Sequence, residues 1–195
     1  MRKATSLAAV VTSALALAAC DAGGDPPEGA REAGPDASAA AEKAVSLEGD
    51  GLEVGDEAFL FNAGRSEIET TLGKALGDPV RRATNTECEA GAVDFTDYEG
   101  GLTLHFTDGQ LVGWNWHLPY EGDAPLNDAV GVAGGVALGM APDALREREG
   151  FERLEDSTLG EEFRIGSVGG FIEAGEVATL FAGTQCFIRA GEAAG

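Results

Sequence analysis

The stretch LTLHFTDGQLVGWNWHL, residues 102–118, decides how this chain folds. Apolar residues alternate on either side of a turn signal: Leu102, Leu104 and Phe106 before it, Val112, Trp114, Trp116 and Leu118 after it. Alternation with a period of two marks a half-buried strand, and Asp-Gly between two such runs marks a hairpin. A two-residue Asp108-Gly109 loop would pair Phe106 with Leu111 and throw the two apolar sets onto opposite faces. A three-residue loop, Thr107-Asp108-Gly109, pairs Phe106 with Gln110, Leu104 with Val112 and Leu102 with Trp114. The three-residue loop is therefore expected, with Gly109 in the left-handed region that glycine tolerates. One face then carries an aliphatic and tryptophan core. The other shows Thr103, His105, Leu111, Asn115 and His117.

Working outward, Glu57–Phe61 reads as a short strand. A helix follows, with Ser66 and Glu69 spaced as a capping box and with Ile68, Leu72 and Leu76 on one face. Gly77-Asp78-Pro79 ends it, because glycine supplies a left-handed cap and proline cannot continue. Strands are expected at 80–86 and 92–98, ahead of the hairpin. Residues 119–130 form a connector. Beyond it come a small-residue strand at 130–138, a short helix opened by Pro142 and Asp143 and ending near Gly150, and strands at 151–154, 162–165, 169–173, 177–181 and 185–189. The chain thus reads as an α+β fold of two tandem modules, about 52–118 and 130–190. Each is a short helix, or helical pair, on an antiparallel meander.

The run Gly139-Met140-Ala141-Pro142-Asp143-Ala144-Leu145, with Gly150 eleven residues after Gly139, and the stretch from Gly64 to Leu76-Gly77-Asp78-Pro79 share a glycine, small helix, glycine cadence. This cadence resembles the opening of a superfamily of exported repeats. It includes the SmpA/OmlA outer-membrane-assembly lipoproteins and the β-lactamase-inhibitor-protein fold. The resemblance implies helix-plus-sheet modules that bind through an exposed sheet surface without catalysis. The assembly lipoproteins usually have one module, and the inhibitor proteins carry a disulfide within each.

The N-terminus reads MRKATSLAAVVTSALALAAC. A positive pair, Arg2 and Lys3, precedes a short apolar run, as in a secretory signal peptide. That run is too short for a spanning helix, which needs ~20 apolar residues. Leu17-Ala18-Ala19-Cys20 resembles the bacterial lipoprotein box, which implies cleavage before Cys20 and its acylation by palmitate-class chains. An ordinary cleavage site with an incidental cysteine and an uncleaved anchor are the alternatives. Asp21 is a weak pointer to the inner membrane; inner versus outer stays open. Residues 21–45 are an acidic, Gly-, Ala- and Pro-rich tether with too little apolar surface to offset its ordering entropy. The globular domain then spans 46–190.

The 195-residue chain carries a formal charge of -21, and -23 once Arg2 and Lys3 leave with the signal (-21 minus 2). Such a charge argues against nucleic acid, whose phosphates require Lys and Arg, and against lying flat on anionic lipid. It is read as a solvated surface or as complementarity to a cationic partner. With Cys20 lipidated, Cys88 and Cys186 remain, and export favours a disulfide between them over two buried thiols.

No nucleophile elbow and no phosphate-binding loop is present. His105 and His117, with Asp97 or Asp108, are candidates for a metal site or a base, against the plainer reading as ordinary strand residues. Asp94–Gly101 carries acidic residues near glycines but misses the EF-hand pattern. No cofactor and no metal is expected. The expectation is a lipid-anchored, non-catalytic binding or scaffold module of the cell envelope, facing the periplasm or extracytoplasmic side. Its binding face would include Thr103, His105, Asn115 and His117, and an envelope protein would be its partner. The alternatives are an envelope hydrolase and a periplasmic cation or solute binder using the acidic and histidine residues of the hairpin.

Overall fold

The computed structural model describes residues 43–88 and 90–187. The signal segment with Cys20, the tether up to residue 42 and the tail from residue 188 lie outside them.

The chain opens with three short antiparallel strands, β1 (Val45–Glu48), β2 (Gly51–Val54) and β3 (Glu57–Leu60). Two-residue Gly-Asp loops join them; the second holds Gly55 at φ 59°. A glycine at the first loop position suits a tight hairpin. Val45, Leu47, Leu52, Val54 and Phe59 alternate inward and are buried. A later strand, β8 (Val130–Val132), adds to β1 in parallel and completes a four-stranded mixed sheet, ordered β3-β2-β1-β8.

Helix α1 (Arg65–Leu76) follows and buries Ile68 and Leu72 completely. Its N-cap is Gly64, without a side-chain cap, so the expected capping box does not form. Glu69 is drawn away to Arg65, Arg82 and Thr96. After α1 come β4 (Arg81–Asn85), β5 (Val93–Asp97), β6 (Leu102–Thr107) and β7 (Gln110–His117). A second short helix, α2 (Pro142–Arg146), buries Leu145 and is followed by β9 (Phe151–Leu154), β10 (Glu161–Ile165), β11 (Val168–Glu173) and β12 (Glu176–Gly183). These eight strands form one antiparallel sheet, ordered β4-β5-β6-β7-β12-β11-β10-β9. With helices of 12 and 5 residues only, the molecule is mostly β, and α+β fits it loosely.

The hairpin departs from its expected loop. Thr107 pairs with Gln110, so the loop is the two-residue Asp108-Gly109, with both residues at positive φ (53° and 75°). Phe106 pairs with Leu111, but His105 pairs with Gly113. Val112 is the extra residue of a β-bulge. A bulge shifts the side-chain phase by one, which sets Leu102, Leu104 and Phe106 on the same face as Leu111, Trp114 and Trp116. Leu111 is therefore core rather than outer face, at 0% exposure. The strand expected at 130–138 stops at Val132, because Gly134 and Gly135 take positive φ in a 3-10 turn. Gln185–Phe187 are not strand.

Both helices and the small sheet share one hydrophobic core with the covered face of the large sheet. Trp114 spans the layers and donates its indole N–H to the Glu48 carbonyl (2.8 Å). Trp116 donates to the Gly100 carbonyl (2.9 Å). Beneath α1 lies a polar network. Arg65 reaches Glu69 (2.8 Å), Thr96 (2.9 Å) and Asp94 (3.4 Å), and its guanidinium lies over the Phe106 ring. Burial works to raise the Glu69 carboxyl, but hydrogen bonds from Arg82, Arg65 and Thr96 outweigh it and hold it down at about 2.

Candidate functional site

Strand register fixes what the other face of the eight-stranded sheet presents. One row across it runs Arg81, Asp97, Thr103, Asn115, Phe181, Gly169. The next runs His117, Thr179, Phe171, Glu162. On the other flank lie Phe95, His105, Gly113 and Gly183. All four residues expected on a binding face, Thr103, His105, Asn115 and His117, stand together here.

They are not equivalent. Thr103 donates to Asp97 Oδ1 (2.9 Å), and Arg81 holds the other carboxylate oxygen (2.5 Å). His105 is buried, 3% exposed, edge-on to the Phe95 ring at 4.8 Å. Its Nδ1 lies 2.7 Å from the Thr184 carbonyl and its Nε2 lies 3.3 Å from the Asn115 amide oxygen. Burial lowers its pKa despite these bonds. A neutral ring that donates from Nδ1 leaves Nε2 as an acceptor, and the Asn115 amide meets it by turning its NH2 inward. Both nitrogens are engaged. His117 is half-buried, with Nδ1 2.8 Å from the Leu118 carbonyl and its ring 5.0 Å from that of Tyr120.

Three clefts of about 460, 320 and 290 Å³ open along this face, and His117 and Tyr120 line all three. Arg81, Asp97 and Thr103 line the first two. Phe171 walls the third, and Phe187 lines both the second and the third, as do Asn115, His117 and Tyr120. Sequence reasoning did not single out Tyr120, Arg81, Phe171 or Phe187. Tyr120 follows Pro119 in a connector with no periodicity, Arg81 meets Asp97 through the pairing of β4 with β5, and Phe171 and Phe187 reach this face only through the pairing of β12 with β7 and β11.

Cys88 and Cys186 form a disulfide (Cα–Cα 5.0 Å). It fastens residues 184–187, which turn back from the end of β12 onto this face. Among the described residues, no group of three or more His, Cys, Asp or Glu is placed to hold a metal ion. Also among them, no helix is long and apolar enough to cross a membrane.

No family model matches this chain, no curated protein matches it, and no solved structure matches it.

Proposed function

We propose that this chain is an exported, lipid-anchored binding or scaffold module of the cell envelope, non-catalytic, with the uncovered face of its large sheet as recognition surface. The observation that carries the reading is the asymmetry of that sheet. One face is sealed by two helices and a second sheet, while the other holds three adjoining clefts that meet at His117 and Tyr120. Surfaces of this shape, apolar in part and ringed by a few convergent polar groups, are where ligands and partners bind. The anchor is Cys20, and the acidic stretch 21–42 is the tether between it and the domain.

The order of the large sheet supports a tandem of two modules. A helix precedes four meandering strands in each half, and the halves meet where β7 pairs with β12. That arrangement fits the resemblance to the SmpA/OmlA and β-lactamase-inhibitor-protein superfamily. Hydrolysis through His105 is the weaker reading, since a general base needs a nitrogen free to take a proton and His105 spends both of its nitrogens on Thr184 and Asn115.

The test is twofold. Intact mass of the mature protein extracted from membranes should begin at an acylated Cys20. A Tyr120→Ala/His117→Ala variant, with an unchanged melting curve, should lose about tenfold in affinity for the envelope protein that the wild type retains. An unacylated mass, or unchanged affinity in the double variant, contradicts the reading.

A further inference from the structure

Residues 184–187 form a strap across the candidate face. Its root is tied to the sheet. Thr184 N–H donates to the Val112 carbonyl (2.8 Å), the Thr184 carbonyl accepts from His105, and the Gln185 amide donates to the Trp114 and Ala182 carbonyls (3.1 and 2.9 Å). The tip is held differently. Phe187 packs edge-on against Phe171 (5.3 Å) and Phe181 (5.0 Å), and Cys186 is bonded to Cys88. Phe187 also lines both the 320 and 290 Å³ clefts, together with Asn115, His117 and Tyr120. One of the residues common to the two clefts is therefore the immediate neighbour of the disulfide.

We infer that the Cys88–Cys186 disulfide is a redox latch that regulates this recognition face. Closed, it holds Phe187 as a partition; opened, it frees the strap tip and merges two clefts into one aromatic groove lined by Phe95, Phe171, Phe181 and His117. The inference rests on the reading of this face as a recognition surface. The reductant is a dithiol protein or a small dithiol. Its thiolate attacks Sγ of Cys186, which lines a cleft and is the less buried of the two. The Cys186–Cys88 bond breaks and Cys88 leaves as a thiolate that takes up a proton. The second thiol of the dithiol then resolves the mixed disulfide, so two electrons and two protons pass from dithiol to latch. Anything that binds the merged groove favours the reduced state, and by linkage reduction tightens its binding by the same factor.

The full chain is compared oxidised, reduced with dithiothreitol, as Cys88→Ser/Cys186→Ser, and as oxidised Phe187→Ala. Hydrogen exchange over 184–187 reports strap release, the neutral dye Nile red reports the groove, and circular dichroism reports the sheet. Reduction and the double serine variant should speed exchange in the strap by about tenfold or more while the sheet is retained. Dye emission should rise in both, and Phe187→Ala should match it with the disulfide intact. A strap that stays protected on reduction, a released strap with unchanged dye emission, or loss of the sheet on reduction would each overturn the latch. Failure of the recognition reading would look different: the strap would respond to dithiol as described while no partner contacted the face in either state.

Discussion

Glu69 ties helix α1 to the large sheet through Arg82 on β4 and Thr96 on β5. Its spacing from Ser66 fits a cap, yet its carboxylate closes an ion network between α1 and the sheet. Truncating one member of such a network strands its partners, at a cost of about 1–3 kcal/mol per uncompensated group. Glu69→Ala should therefore destabilise by about 2 kcal/mol, read from urea unfolding; a change below about 0.5 kcal/mol would show that solvent already satisfies Arg65. The pH dependence follows from the direction of each shift. Glu69 is depressed, so its contribution is complete above the ordinary carboxyl range and is lost as pH falls towards about 2. His105 is also depressed, chiefly by burial, so its contribution is lost on acidification below its ordinary value of 6.5. Burial, and next the Glu69 charge, push Tyr98 up to about 12, so its contribution is full below pH 10 and is lost as pH rises towards 12. Stability should plateau near neutrality and fall on both sides. In Glu69→Gln the steep acid limb should flatten, which a set of melts between pH 2 and 7 would reveal.

At the level of elements, Val112 carries the hairpin's phase. Because it is the bulged residue, its removal leaves Leu111 and Gly113 adjacent and keeps both tryptophans inward. Deleting Val112 should cost about 1–2 kcal/mol, mainly for the lost Thr184 hydrogen bond and local twist. Deleting Asn115 instead should abolish cooperative unfolding, since Trp116 and His117 would exchange faces. Circular dichroism melts of the two deletions separate these outcomes. The same bulge explains what was legible in the sequence. Period-two alternation places Leu102, Leu104, Phe106, Trp114 and Trp116 on the core side and Thr103, His105, Asn115 and His117 opposite, but it also sets Leu111 outward, which the bulge reverses. Alternation fixes sidedness and leaves open where the extra residue goes: a three-residue loop and a two-residue loop followed by a bulge at Val112 set the tryptophans on the same side. Strands β1 and β2 carry a readable signal, Val45/Leu47 and Leu52/Val54 around Gly-Asp loops, but at four residues each they are too short for alternation to stand out. The strap and its aromatic contacts were not readable, since residues 184–187 have neither periodicity nor a turn motif and take their place only from β12 and Cys88.

Across the whole molecule, the disulfide joins chain positions 98 residues apart. A loop of that length lowers the entropy of the unfolded chain by an amount worth about 4–5 kcal/mol. Reduction should lower the melting temperature by roughly 10–15 °C, yet leave the sheet folded at 25 °C, because the disulfide joins the segments that follow β4 and β12 and not two strands of the sheet. An unchanged melting temperature would show that the reduced unfolded chain is already compact. The eight-stranded sheet is asymmetric: one face is buried under α1, α2 and the small sheet, and the other carries the clefts proposed as the recognition surface. A photoreactive amino acid placed at Tyr120, 72% exposed and common to all three clefts, tests it most directly against the same group placed at Leu60, 59% exposed on the small sheet. In intact cells the account predicts a discrete envelope adduct from position 120 and none from position 60. Equal labelling from both positions, or none from position 120 in either the oxidised or the reduced protein, would contradict it.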